Sequence, residues 1–263
     1  MDPTETLIKL EPVFKQAGEL ACEMQATAKH HNKFNTGLHV TDIVTEADLA
    51  VQEFLLGEIA KTDLINCRLL AEEDTPKAKQ FNERGNFYLA IDPIDGTAIY
   101  AKGGKQFSVI VSLHDGKNLL YTFKHFPALN WTQKIVGKQY FTAGQEPFFG
   151  PNDKKNKIFY YIGSPENILS KIYRQLTSKG LIFENCVDSA EDIDEASVYA
   201  CGKAAGFYAQ DPNVYDGLVS LHVAMAKGFT FYSGGPNGTL DLTNIQKRET
   251  GLYYPGYYLA LNS

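Results

Sequence analysis

The stretch IDPIDGT, residues 91–97, closes the apolar run FYLA with two aspartates three residues apart. Pro93 fixes its own φ and biases Asp92 away from helix, while Gly96 tolerates almost any backbone geometry. The pattern predicts a sharp turn leaving a strand, with both carboxylates aimed at one point. Two such charges about 4 Å apart repel by roughly 4 kcal/mol at an effective dielectric near 20, so a fold that holds them together needs a counter-ion. Oxygen donors alone, with the Ile94 carbonyl between the two acids, suit magnesium better than zinc. Taken alone, Asp-Pro and Asp-Gly are also ordinary turn dipeptides with solvated acids.

A second apolar run, CRLLA, ends twenty residues earlier in Glu72, Glu73 and Asp74. If the two runs are adjacent strands, Glu72 reaches the same rim; the alternative is an acidic exposed loop. Upstream, Pro3 and the spacing of Leu7, Leu10, Val13, Phe14, Ala17 and Leu20 predict a helix to about His30. A polar loop, NKFNTGLHVT, follows. TEADLAVQEFLLGEIAK reads as a second helix, capped by Thr45 with Asp48 at its third position. Downstream, FSVIVSL, NLLYTF, WTQKIV and KQYF alternate as strands of an antiparallel meander, with a hairpin at HDGK and a break at Gly137-Lys138. The polar segment GPNDKKNK (150–157) marks a boundary between a lobe at 1–150 and a lobe at 151–263. In the second lobe, strand-like and helix-like runs alternate, including a helix from Tyr215 to Lys227, which predicts an α/β unit.

The chain has 263 residues, 44% hydrophobic and 12% aromatic, enough for a large core. Its four cysteines, Cys22, Cys67, Cys186 and Cys201, stand singly, so neither a disulfide framework nor a structural zinc is indicated. A net charge of −6 argues against a nucleic-acid polymer as partner, but not against a small phosphorylated substrate, since a bound metal reverses the local sign. No run approaches a membrane span, and the first residues carry acids where a secretory signal needs bases. A soluble, cytoplasmic protein is expected.

TDIVTEAD, LLAEED, IDPIDGT and YDGLVSLHVAMAKG resemble, in order and spacing, the four signatures of the inositol monophosphatase superfamily of magnesium-dependent, lithium-sensitive phosphatases. The resemblance implies an α/β fold, a layered α/β/α/β/α sandwich like that of inositol monophosphatase and fructose-1,6-bisphosphatase, with two to three magnesium ions. By position it implies Glu72, Asp92, the Ile94 carbonyl, Asp95 and Asp216 as metal ligands. It assigns Thr97, Glu72 and Asp48 to orienting and deprotonating the attacking water. Gly96 and Thr97, where a helix should begin, match the residues whose amides hold phosphate oxygens. Without the resemblance, Asp216 reads as a helix cap, Asp48 as the capping acid of its own helix, and Gly96-Thr97 as a helix start.

The fourth signature departs from the family pattern: Tyr215 stands where tryptophan is usual, and Ala209 where inositol-specific members carry a glutamate toward the ring hydroxyls. The run VDSAEDIDE replaces a Gly-Ser-Ala segment and reads as a solvated loop. AEED, the FSVIVSLHDGK strand pair and PGYYLAL also resemble the 3′(2′),5′-bisphosphate nucleotidase branch, although Ala98 stands where that branch commonly has lysine. A small phosphorylated metabolite is the expected substrate. A catalytically weak member acting as a binding module is a further alternative. A homodimer is compatible with the 15 Tyr and 16 Phe, which a core explains equally.

Overall fold

The computed structural model describes residues 2–27, 30–32, 43–147, 149, 154–187, 193–236 and 238–262, which separate into two units, 1–147 and 148–263. In the first, helix α1 (Pro3–Met24) starts where the Asp2 carboxylate accepts the Thr4 amide at 2.9 Å and Pro3 sits in the first turn, where no amide partner is needed. It stops six residues short of the predicted His30, in a turn at 25–27. The cause is distant in sequence: the Gln25 side-chain amide donates to the carbonyls of Tyr100 (3.1 Å) and Gly104 (2.8 Å). Strand β1 (His30–Asn32) pairs antiparallel with β2 (Ile43–Thr45). Residues 33–41 of the predicted polar loop lie outside the described residues.

Thr45 caps helix α2 (Glu46–Ile59) as its sequence predicts, in a capping box with Asp48. Ala47, Val51, Leu55, Leu56 and Ile59 are fully buried along it. They meet Leu7, Phe14, Ala17 and Ala21 of α1 in one core. Each large side chain of that kind contributes about 1.5–3 kcal/mol by leaving water.

Both helices join that core with a six-stranded sheet. Its strands, in spatial order, are β3 (Arg68–Ala71), β4 (Tyr88–Asp95), β5 (Ser108–His114), β6 (Leu119–Phe126), β7 (Trp131–Val136) and β8 (Gln139–Ala143). The first pair is parallel and every later pair antiparallel, so the meander read from the sequence is present, with its hairpin between β5 and β6. Alternation selects the inward residues: Leu89 and Ile91, Val109, Val111 and Leu113, Tyr121 and Phe123.

The IDPIDGT stretch differs from its prediction. β4 does not turn before the aspartates but runs through them to Asp95, and the turn falls at Gly96, whose φ of 83° only glycine adopts without strain. Asp92 faces Ile110 and Asp95 faces Ser108, so three steps on β4 match two on β5. One extra residue is thus absorbed as a bulge, where Pro93 has no ladder amide to lose. In an unbroken strand, residues three apart point to opposite faces. The bulge returns Asp92 and Asp95 to the same one. A five-residue helix, α3 (Thr97–Ala101), follows.

The second unit holds β9 (Lys154–Tyr160), α4 (Pro165–Thr177), β10 (Ile182–Asn185), α5 (Glu195–Ala200), β11 (Ala204–Gln210), α6 (Val219–Lys227), β12 (Thr230–Gly234), the hairpin β13 (Gln246–Arg248) and β14 (Gly251–Tyr253), and β15 (Tyr257–Leu261). Its main sheet has the order β10-β9-β11-β15-β12, with the first three strands parallel and β15 antiparallel to both neighbours. Ile158, Leu169, Leu176, Tyr208 and Leu259 form a core there. Of the polar run 150–157, residues 150–153 lie outside the described residues, and 154–157 begin β9. The mixed α/β class expected from the sequence is the one observed. No described helix is long and apolar enough to cross a membrane.

Candidate active site

The parallel pairing of β3 with β4 sets one rim of the first sheet. Ala71 stands beside Ile91, and the Glu72 amide donates to the Ile91 carbonyl at 3.2 Å, so Glu72 leaves its strand level with Asp92. The next residue, Glu73, is fastened by Gln52 of α2, which is fully buried. The Glu73 amide donates to Gln52 Oε1 (3.0 Å), and Gln52 Nε2 donates to the Glu73 carbonyl (2.7 Å). This two-way clamp fixes the acidic loop by its backbone.

Asp92 is buried, and Asp92 and Asp95 each present a carboxylate oxygen within 4.8 Å of the other. The Oδ2 atom of Asp95 accepts from Ser108 Oγ at 2.9 Å and pairs with Lys124 Nζ at 2.8 Å. An acidic group of this kind is a donor set for a hard cation: oxygen atoms only, with charge in excess of what neutral donors can offset. The Ile94 carbonyl accepts the Thr97 hydroxyl at 2.9 Å.

Thr97 also stands 3.4 Å from Asp48 Oδ1. Asp48 is almost wholly buried, and its other oxygen accepts the Thr45 amide (2.8 Å) and hydroxyl (2.5 Å). Burial pushes its carboxyl up to about 6, with the Thr45 hydrogen bonds opposing and the charge of Glu73 adding a smaller push. Asp48 is therefore both the capping acid of α2 and a neighbour of Thr97.

The remaining predicted residues lie in the second unit. Asp216 does not open a helix: α6 begins at Val219, whose amide donates to the Asp216 carbonyl. The reason is Asn213, whose Oδ1 accepts the amides of Tyr215 (2.8 Å), Asp216 (3.0 Å) and Gly217 (3.3 Å) and so holds them in a tight non-helical turn. Tyr258, fully buried, donates its hydroxyl to the Gly217 carbonyl at 2.7 Å; burial, and secondly the charge of Asp216, hold that phenol well above its usual range. Ala209 lies on β11 opposite Tyr258. Asp194 caps α5, and burial pushes the neighbouring Glu195 carboxyl up to about 7 although the Tyr161 hydroxyl donates to it. Residues 188–192 of the acidic run lie outside the described residues.

The sequence profile of the inositol monophosphatase family matches residues 3–216. The chain belongs to that family. The 3′(2′),5′-bisphosphate nucleotidase CysQ of Haemophilus influenzae is 36% identical over 91 residues, 34% of this chain and 33% of that protein. The fructose-1,6-bisphosphatase/inositol-1-monophosphatase of Thermotoga maritima is 32% identical over 91 residues, 35% of this chain and 33% of that protein. The chain thus aligns with about a third of the length of either relative. A solved Thermotoga maritima IMPase superposes with a TM-score of 0.64 at 21% identity, covering 99% of this chain and 92% of that one. The inositol monophosphatase fold is therefore present along the whole chain.

Four residues outside the family signatures shape the first unit's rim: Gln25, Gln52, Ser108 and Lys124. Lys124 had a signal in the sequence, a lone lysine inside the strand run LLYTFKHF. The other three had none.

Proposed function

We propose that this protein is a magnesium-dependent phosphomonoesterase acting on a small phosphorylated metabolite. The observation that carries the reading is the buried Asp92 beside Asp95 on a strand bulge, two carboxylates within 4.8 Å in a chain of this family. Magnesium would be held by Asp92, Asp95, the Ile94 carbonyl and Glu72, with Asp216 of the second unit added on the register of its signature. Bound there, it would supply Lewis acidity toward the phosphate oxygens and lower the pKa of the attacking water.

The chain's own residues supply the rest. The Thr97 hydroxyl has one proton and two acceptors in reach, Ile94 O and Asp48 Oδ1. Donating to Asp48, it exposes a lone pair to the attacking water and fixes that water's direction. Asp48, with its carboxyl up to about 6, is the proton store at the end of this short relay, and Glu72 is the second acceptor assigned to the water by its place in the family signature. The amides of Gly96 and Thr97 position the phosphate.

A 3′(2′),5′-bisphosphate nucleotidase activity is the second reading, favoured by the CysQ alignment and by Ala209 in place of an acid. The four cysteines, all free, support a reducing compartment, which we take to be the cytoplasm. A homodimer is the proposed assembly. The test is phosphate release from inositol phosphate, adenosine bisphosphate and histidinol phosphate, with magnesium and with chelator. Magnesium-dependent turnover of at least one, lost in Asp92→Asn, is expected. Turnover unchanged by chelator, or none on any phosphomonoester with magnesium saturating, would overturn the reading.

A further inference from the structure

Lys124 stands in the interior of β6 with its side chain 3% exposed. Lysine is almost never buried to this degree unless it is paired with a counter-charge. The strand register shows why it is here. Asp92 faces Ile110 across β4–β5, and Ile110 faces Lys124 across β5–β6, so the three residues form one row on one face of the sheet. Asp95 and Ser108 form the neighbouring row on that face. From its row the ammonium reaches Asp95 Oδ2 at 2.8 Å, on the oxygen that Ser108 Oγ also meets, and lies 5.3 Å from the Phe126 ring centroid. Strand pairing on both sides and the aromatic ring fix its position.

We infer that Lys124 is the resident cation of the carboxylate rim, and that its charge displaces one divalent ion from it. This rests on the reading of Asp92 and Asp95 as metal ligands. A divalent ion coordinated by Asp95 would face a buried positive charge already seated on the same carboxylate, and the low local dielectric makes that repulsion strong. The rim therefore holds fewer ions, or holds one of them more weakly, than its acid count suggests. Lys124 is a positioning residue: it acts on ion occupancy through Asp95.

The test is calorimetric titration of magnesium, and separately of manganese, into wild type, Lys124→Met, Lys124→Gln and Lys124→Arg, with unfolding temperature followed in chelator. The expected result is one additional divalent ion per chain in Lys124→Met and Lys124→Gln, or at least tenfold tighter binding of the weakest ion, with Lys124→Arg matching wild type. Gln keeps a donor for Asp95 without the charge, so it preserves the test if the Met variant does not fold. An ion count equal to wild type with affinity within threefold in the neutral variants would reduce Lys124 to a structural ion pair and overturn the inference. Absence of divalent binding in wild type and variants alike would overturn the metal reading beneath it, a different result from equal binding.

Discussion

Asp92 and Asp95 are chemically alike and three residues apart, yet removing their charges should move stability by different amounts. Within 4.8 Å of each other, the two carboxylates repel by at least about 3.5 kcal/mol at an effective dielectric near 20. Asp92→Asn abolishes that repulsion, so in chelator the variant should unfold about 10 °C above wild type. Asp95→Asn abolishes it too, but it also strips the charge that balances Lys124, whose side chain is 3% exposed. Breaking one side of a buried ion pair costs about 3–5 kcal/mol, which cancels the relief. At roughly 2–4 °C per kcal/mol for a chain of this size, the two variants should differ by about 10 °C in chelator. The assay is thermal unfolding followed by circular dichroism, with chelator and again with saturating magnesium. Magnesium should raise the wild-type midpoint and neither variant's, and turnover should fall at least a hundredfold in both. If Asp92→Asn and Asp95→Asn shift the metal-free midpoint in the same direction by similar amounts, the charge balance assigned to this rim is wrong.

Thr97→Val removes the relay hydroxyl and should lower kcat at least a hundredfold while KM changes less than threefold; loss of substrate binding alone would point to a purely phosphate-holding role. Ala209→Glu restores an acceptor whose hydrogen bonds are worth roughly 1.5–3 kcal/mol each, so kcat/KM for inositol phosphate relative to adenosine bisphosphate should rise at least tenfold, and an unchanged ratio would place specificity elsewhere. Glu195, raised from 4.5 to about 7 in the fold, keeps a proton that the unfolded chain has already released, so its contribution to stability is full below pH 4.5 and falls as pH rises to about 7. That decline, on the order of 3 kcal/mol, should be missing from urea unfolding of Glu195→Gln, and an identical pH profile would show that the carboxyl is not titrating there. Millimolar lithium should inhibit turnover, and insensitivity would direct attention to the altered wall at Tyr215.

What was legible in the sequence was what depends on neighbours in the chain. The Thr45 cap, the antiparallel meander and the carboxylates at the ends of two apolar runs all follow from local spacing and turn chemistry, and β3–β4 pairing puts Glu72 where adjacency of those runs would put it. The errors came where distant partners decide. α1 ends at Met24 because Gln25 is held by residues 75 and 79 positions away, and α6 starts late because Asn213 holds three amides in a turn. The bulge was hidden for another reason: Asp-Pro reads as a chain reversal when considered alone, whereas a partner strand lets the same residues remain extended. Lys124 could be noticed as a lysine among apolar residues, but only register shows that it shares a face with both aspartates.

The grip of Gln25 on both sides of the turn after IDPIDGT has a temporal side. A chain made from its N-terminus releases the first helix some eighty residues before the turn that this glutamine holds. The splint is thus present before the turn it holds has left the ribosome. Circular permutation that moved the first helix to the C-terminal end would keep every contact and reverse that order. Yield of folded protein during synthesis, rather than the stability of what folds, is the quantity that such a rearrangement would lower.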